Sequence, residues 1–242
     1  MKSIPAPLST FSIVGRCPRT NMLGVGVASK YLAVGAVCSH TRAEVGAIST
    51  QAYGNPYLGI DGLDMLQNGT GAQETLGRLL SQDPGREKRQ LIIIDQQGET
   101  AAYTGGLVNP WSGHRAGEGY IVAGNLLTGP AVIQAIAATF EQTVEDELAE
   151  RLLRALEAGQ QAGGDRRGQQ AAHLQVVHVD AWKYVDLRVD EHPEPIIELR
   201  RIFEVAKKEL FPFRELYPNR TRPGHDWDLA EYERISASVE WR

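Results

Sequence analysis

The sequence predicts an α+β chain folded as a four-layer αββα sandwich, two packed and mainly antiparallel sheets with helices on both outer faces. Three observations carry this. Short apolar strands come in runs rather than singly, and each run is followed by a pair of amphipathic helices. The resulting order is strands, two helices, strands, two helices, strands, which lacks the single strand–helix alternation of a doubly wound parallel sheet. The chain has 242 residues, enough for one domain with a substantial core.

The elements follow in order. Residues 11–14 form an apolar run that ends in a turn through Pro18 and Asn21, and residues 23–28 alternate Gly with Val and Ala. Residues 31–37 and 44–50 read as further strands of this group. Glycines 24, 26, 35 and 46 lie in or beside these strands, where a missing side chain marks close backbone approach. Ile60, Leu63 and Leu66, then Leu76, Leu79 and Leu80, recur at helical spacing with Gly69 as a stop between them. Residues 90–94 are a β-branched run, 95–98 a hairpin turn and 100–104 the returning strand. Residues 119–123 add another.

A second helical pair comes next. Pro130 suits the first helical position, and Val132, Ile133, Ile136 and Phe140 form its apolar stripe. Thr143 and Asp146 have capping-box spacing ahead of Leu148, Leu152, Leu153 and Leu156, and Gly159 reads as the stop. Strands at 172–179 and 184–189 precede a helix over 193–208. Beyond Phe211 the periodicity dissolves into a charged tail with Trp227, Tyr232 and Trp241, expected to pack on the domain or on a partner subunit.

Composition narrows the function. Apolar residues make up 42% and charged residues 23%, ordinary globular values. A net charge of −5 with scattered Lys and Arg offers no basic field to phosphates, so nucleic acid is not the expected partner. No apolar run approaches the roughly 20 residues that span a bilayer, so no membrane association is expected. Residues 1–9 contain one Lys and two Pro but no apolar core, unlike a secretory signal. Cys17 and Cys38 are the only cysteines, too few for a disulfide framework. These features predict a cytoplasmic chain with reduced thiols that handles a small molecule. Gly-Val-Gly at 24–26 opens no helix and is no dinucleotide fingerprint. Asp186, Asp190 and His192 alternate at strand spacing and read as an ion-pair ladder with Arg188, not a metal set. No cofactor and no metal are expected.

The most informative blocks are Ser-Thr-Phe-Ser-Ile-Val at 9–14 and Gly-Val-Gly-Val-Ala-Ser-Lys-Tyr-Leu-Ala-Val-Gly at 24–35. Further blocks are Ile-Ser-Thr-Gln-Ala at 48–52, Asn-Pro at 55–56, Asp-Pro-Gly-Arg-Glu at 83–87 and Trp-Ser-Gly-His at 111–114. Gly-Asn-Leu-Leu at 124–127, the 148–168 segment with Ala-Gly-Gly-Asp-Arg-Arg-Gly, and Val-Asp-Leu-Arg-Val-Asp at 185–190 complete them. Over about residues 10–205 the chain resembles the bacterial domain-of-unknown-function 1028 family, placed within the N-terminal-nucleophile (Ntn) hydrolase superfamily. The resemblance implies the αββα sandwich that the element order reaches independently. It divides the chain into an Ntn-hydrolase-like domain at 10–210, a leader at 1–9 and a C-terminal tail at 211–242.

It also implies a mechanism. In Ntn hydrolases the first residue of the mature chain, Thr, Ser or Cys, attacks a carbonyl while its own α-amine, of pKa near 8, serves as base. Thr10 matches that position, and nine residues precede it here, so a free amine requires their removal. The family commonly has Asp where this chain has Cys17. Lys30 is the expected stabiliser of charge, and Asn125 the expected donor to an oxyanion. Gln51, His114, Asp165 and Arg166 are the expected substrate-binding residues: His114 titrates near neutrality, and the Arg pair beside Asp165 suits a substrate carboxylate. Three readings follow. The first is an amidohydrolase acting on the C–N bond of a small, carboxylate-bearing or cyclic amide. The second is a non-catalytic ligand-binding or assembly protein that keeps the fold with Thr10 blocked. The third is a hydrolase built around Cys17 or His114. The aromatic tail on an acidic domain predicts homo-oligomerisation.

Overall fold

Strand β1 (Thr10–Arg16) alternates two kinds of residue: Phe11 and Ile13 on one side, Thr10, Ser12 and Val14 on the other, every one buried. A strand buried on both faces must lie between two layers, and the computed structural model, which describes residues 10–223 and 229–239, places it there. β1 is central in a six-stranded sheet of order β10-β9-β2-β1-β8-β7. Its companions are β2 (Leu23–Ser29), β7 (Gly113–Gly117), β8 (Tyr120–Asn125), β9 (Ala171–Val177) and β10 (Val185–Val189). The second sheet has four strands in the order β3-β4-β5-β6: β3 (Ser39–Arg42), β4 (Gly46–Ala52), β5 (Arg89–Asp95) and β6 (Thr100–Thr104). All pairings among these ten strands are antiparallel.

Helices cover both outer faces. Helices α2 (Pro56–Gln67) and α3 (Ala72–Gln82) lie on the four-stranded sheet, burying Leu58, Leu63, Leu66, Leu76 and Leu79 against Ile48, Leu91 and Ile93. Helices α4 (Pro130–Gln142), α5 (Leu148–Gln161) and α6 (Pro195–Glu209) lie on the six-stranded sheet, where Phe140, Leu152, Leu156 and Phe203 meet Phe11, Ile13 and Leu174. Between the sheets, Val14, Val25, Ile92, Ile94 and Ile121 form a third apolar layer. In β5 four consecutive residues, Leu91 to Ile94, are fully buried, alternately toward helices and toward the other sheet. Each such side chain contributes roughly 1.5–3 kcal/mol relative to exposure. The architecture is the αββα sandwich expected from the element order.

Several local expectations are corrected. Residues 31–37 are not a strand: the chain turns at Ala33, which has φ +52°, and enters the one-turn helix α1 (Gly35–Cys38). Gly35 permits this because a Cβ there would lie 2.5 Å from the His173 ring. Ile60 points to solvent while Leu58 and the glycines 59 and 62 complete the buried stripe of α2. Thr143 does not cap α5; its hydroxyl donates back to the Thr139 carbonyl at 2.8 Å and closes α4. Gly159 does not end α5 but packs inside it against Ile136 and Phe11, and the chain leaves the helix through Gly163 and Gly164, both of positive φ. Strands β3 and β7 have no apolar run and carry no pattern that periodicity detects.

The tail is partly structured. A 3₁₀ segment (Phe211–Leu216) follows α6, and helix α7 (Leu229–Ser238) packs Ile235 near Phe213 and Leu216. These described tail residues find their apolar partners on their own chain. The leader at 1–9 and two of the tail aromatics, Trp227 and Trp241, lie outside the described residues. Among the described residues no helix is long and apolar enough to cross a membrane.

Candidate active site

Register places three hydroxyl or amide side chains side by side at one end of the six-stranded sheet. Thr10, the first residue of β1, pairs with Ser29 at the end of β2 and with Asn125 at the end of β8. All three are buried, and all three lie on the strand face that looks toward the other sheet. The Thr10 hydroxyl donates to Ser29 Oγ at 3.2 Å.

Across the gap stands a buried amide network from the four-stranded sheet. Gln51 on β4 and Gln90 on β5 are paired in register, and Gln51 Nε2 donates to Gln90 Oε1 at 2.7 Å. Asn125 Nδ2 donates to the same Gln90 oxygen at 3.1 Å. Ser12 Oγ, two residues along β1 from Thr10, donates to Gln51 Oε1 at 2.7 Å. Gln90 Nε2 in turn reaches the carbonyl oxygens of Gly124 at 2.9 Å and Gly113 at 3.1 Å and the Thr104 hydroxyl at 3.0 Å. Thr104 Oγ1 shares a hydrogen bond of 3.0 Å with His114 Nδ1, so an unbroken path joins Ser12 to an imidazole on the surface strand β7. Partial burial holds the His114 pKa below the usual histidine range. A neutral imidazole at neutral pH follows.

Beside Thr10 a loop closes the end of the sheet. The buried Asp165 carboxylate accepts from the backbone N–H groups of Lys30, at 3.0 Å, and Arg167, at 2.9 Å. The Arg167 guanidinium lies on the same carboxylate at 3.3 Å and also donates to the Lys30 carbonyl at 3.2 Å. Asp165 bridges to Leu127, two residues past Asn125, and Leu126 between them has φ +52°. A non-glycine residue in that region costs about 1 kcal/mol or more and persists only where its surroundings hold it. Ala52 at the end of β4, φ +67°, is a second such residue at the same end of its sheet, directly after Gln51.

The structure therefore gathers Asn125, Gln51 and His114 on one polar network, places Thr10 beside Asn125 in register, and sets Asp165 on the adjoining loop. Lys30 follows Ser29, but its ammonium turns outward to the Gln169 carbonyl at 3.0 Å. The Arg166 side chain is exposed, and it is Arg167, not Arg166, that binds Asp165. Ser12, Gln90 and Thr104 complete the network, Ser29 holds the Thr10 hydroxyl, and all four escaped sequence reading. Gln90 carried a faint signal, a polar residue that shares its strand parity with Ile92 and Ile94. Cys17 is buried just beyond the far end of β1, about 20 Å from Thr10 at the usual strand rise. It takes no part in this cluster. Burial raises its pKa, but hydrogen bonds from Thr20 and Arg19 outweigh that and lower it.

The acidic residues in and just after β10 also divide. Arg188 pairs with Asp190 at 2.7 Å, whereas Asp186 accepts from the buried His173 at 2.8 Å and from Gln175 at 3.2 Å. Among the described residues no group of three or more His, Cys, Asp or Glu is placed to hold a metal ion.

A family described as a family of unknown function, DUF1028, matches residues 10–199. The crystal structure of protein SPO2555 from Silicibacter pomeroyi, of the same family, is 29% identical, with a TM-score of 0.83 over 90% of this chain and 95% of its own. Anbu, the ancestral β-subunit from Yersinia bercovieri, is 12% identical with a TM-score of 0.38 over 83% of this chain and 96% of its own. No curated protein matches.

Proposed function

The chain belongs to the DUF1028 family, and from that premise we propose that it is an Ntn-type amidohydrolase whose nucleophile is Thr10. The observation that carries this reading is the register at the head of β1: Thr10 lies buried between Ser29 and Asn125, at the residue where the match to the family begins. Removal of residues 1–9 would free the Thr10 amine. That amine takes the hydroxyl proton as Oγ1 attacks the amide carbon, and the negative charge passes to the carbonyl oxygen. Collapse breaks the C–N bond, the amine leaves with the proton, and an ester on Thr10 remains. Water then hydrolyses the ester to a carboxylic acid and returns Thr10 to its starting state. Asn125, in register with Thr10 and held by Gln90, is the proposed side-chain donor to the oxyanion. Ser29 orients the nucleophile through its hydroxyl. Asp165 fixes the loop over the site. The substrate is a small amide, and carboxylate-bearing and cyclic amides are the first to screen.

One observation favours a second reading, a ligand-binding protein that keeps the fold. In the full chain Thr10 carries a peptide bond on its nitrogen, is fully buried, and already spends its hydroxyl on Ser29. Intact mass and N-terminal sequencing of the purified protein separate the two. A chain that begins at Thr10 and cleaves an amide in a Thr10-dependent way supports the hydrolase. A chain that retains its leader through maturation and binds a small molecule unchanged in Thr10→Ala supports the other. Homo-oligomerisation is proposed alongside, and light scattering that gives a monomer at micromolar concentration would remove it.

A further inference from the structure

Ser39, His173 and Asp186 form a hydroxyl, imidazole and carboxylate array that the candidate active site does not use. Ser39 Oγ lies 2.9 Å from His173 Nδ1, and His173 Nε2 lies 2.8 Å from an Asp186 oxygen. Burial pushes the Asp186 carboxyl up, but hydrogen bonds from His173 and Gln175 outweigh that and hold it below its ordinary range. An ionised carboxylate only accepts, so the ring proton sits on Nε2 and Nδ1 offers its lone pair to the Ser39 hydroxyl. Nucleophile, base and orienting acid are each within hydrogen-bond reach of the next.

Three strands bring these residues together. Ser39 opens β3, the outermost strand of the four-stranded sheet, while His173 on β9 and Asp186 on β10 belong to the six-stranded one. The imidazole is buried, and Gly35 backs it so closely that a Cβ there would lie 2.5 Å from the ring. The ring is therefore held in line. Its two partners reach the surface: Ser39 is half-buried, and the Asp186 side chain is 40% exposed. As an outermost strand, β3 leaves one edge unpaired, and the Thr41 carbonyl turns off that edge to accept from Lys183 Nζ. Ser39, two residues earlier, shares this orientation, so its backbone N–H also points off the free edge. An N–H so placed can donate to an oxygen that gains charge on a group bound to Ser39. The array is separate from the Thr10 site. Val27 stands between Ser12 and His173 in register, and it packs with Val34, Cys38 and Ala171 into an apolar partition.

We propose that Ser39 is a second nucleophile of this chain, one that accepts the acyl group of small carboxylic esters, with His173 as its base and Asp186 orienting the ring. Ser39 Oγ attacks the ester carbonyl carbon as its proton passes to His173 Nδ1, and Asp186 stabilises the imidazolium that forms. The ester C–O bond then breaks, and the alcohol leaves with the proton from Nδ1. Water, deprotonated by the same nitrogen, hydrolyses the acyl group from Ser39 to a carboxylic acid and restores the hydroxyl. The site needs no free α-amine, so it is independent of the leader at 1–9.

The test is labelling of the full chain with diisopropyl fluorophosphate near neutral pH, followed by peptide mapping in the mass spectrometer. Ser39 Oγ bonds to phosphorus, fluoride leaves, and the hydroxyl proton goes to His173. An adduct on the peptide that holds Ser39 is expected, and the mapping distinguishes it from any adduct on Thr10. Asp186→Asn changes a partly exposed side chain and removes the charge that orients the ring. It should slow the labelling about a hundredfold or more, whereas a hydroxyl that merely satisfies the imidazole would not react at all. Release of nitrophenolate from p-nitrophenyl acetate should fall with the labelling and be lost in Ser39→Ala. No adduct on Ser39 in the wild type, a labelling rate unchanged in Asp186→Asn, or ester turnover unchanged in Ser39→Ala overturns the proposal.

Discussion

Asn125 on the six-stranded sheet donates its side-chain amide to Gln90 Oε1 on the four-stranded sheet, 3.1 Å away, so the two halves of the sandwich are hydrogen-bonded through their interior. Gln51 donates to the same oxygen at 2.7 Å, and the Gln90 amide nitrogen reaches the carbonyl oxygens of Gly113 and Gly124. Replacing Gln90 with Leu keeps the volume and strands these partners in a dry interior. Stability should fall by about 2–4 kcal/mol, since several buried groups lose partners together. Urea denaturation reads this directly, and a change below about 0.5 kcal/mol would show that the network does not hold the sheets.

Thr10 is the second point of attack. Thr10→Val preserves the β-branched shape and removes the hydroxyl that donates to Ser29. Stability should fall by about 1 kcal/mol. Under the hydrolase reading, turnover should fall about a thousandfold or more, because the nucleophile itself is gone. Turnover within twofold of the wild type would exclude Thr10 from the chemistry.

Glycine positions give a paired prediction. An alanine Cβ at residue 35 would lie 2.5 Å from His173, whose ring is held by Ser39 at 2.9 Å and Asp186 at 2.8 Å and has little room to move. Gly35→Ala should cost about 1–3 kcal/mol through overpacking. Gly77 sits in the exposed part of α3, where an added Cβ meets nothing within 4 Å. Gly77→Ala should stabilise by about 0.5–1 kcal/mol through the gain in helix propensity. Thermal melts of the two variants should move in opposite directions.

Stability should fall with acid in two stages. Burial lowers the pKa of His40 and of His114, so between those values and about 6.5 the unfolded chain binds more protons than the folded one. Stability therefore rises with pH through that window and drops on acidification from about pH 7 toward 5. Asp83, Glu150 and Asp186 act lower. Burial alone would raise each, but Arg89 on Asp83, Arg200 on Glu150 and His173 on Asp186 hold all three carboxyls below their ordinary range. Their contribution is intact above about pH 4 and is lost as the pH falls through the folded values. Calorimetric Tm values at unit steps from pH 8 to 3 test this, and a flat profile between pH 7 and 5 would refute the histidine stage. His114→Asn should flatten part of that upper stage.

What the residues determine locally was legible before any coordinates. The apolar runs of β1 and β5, the alternation of Gly with Val in β2 and the helical stripes of α3, α4 and α5 need only neighbouring residues, and together they imply two sheets between helix layers. The family resemblance named Thr10, Gln51 and Asn125 as candidates one by one. Their partners were hidden because strand pairing and the approach of the two sheets are non-local. Gln51 and Gln90 are 39 residues apart, Lys30 and Asp165 are 135 apart, and no spacing announces either contact. Strands β3 and β7 lack an apolar run because one is a short edge strand and the other an exposed one, so only their hydrogen-bonded neighbours make them strands. Arg214 reads in sequence as one more charge in an aromatic tail. Only the packing of that tail against Tyr184 removes it from water, because desolvation depends on everything around a side chain and not on its place in the chain.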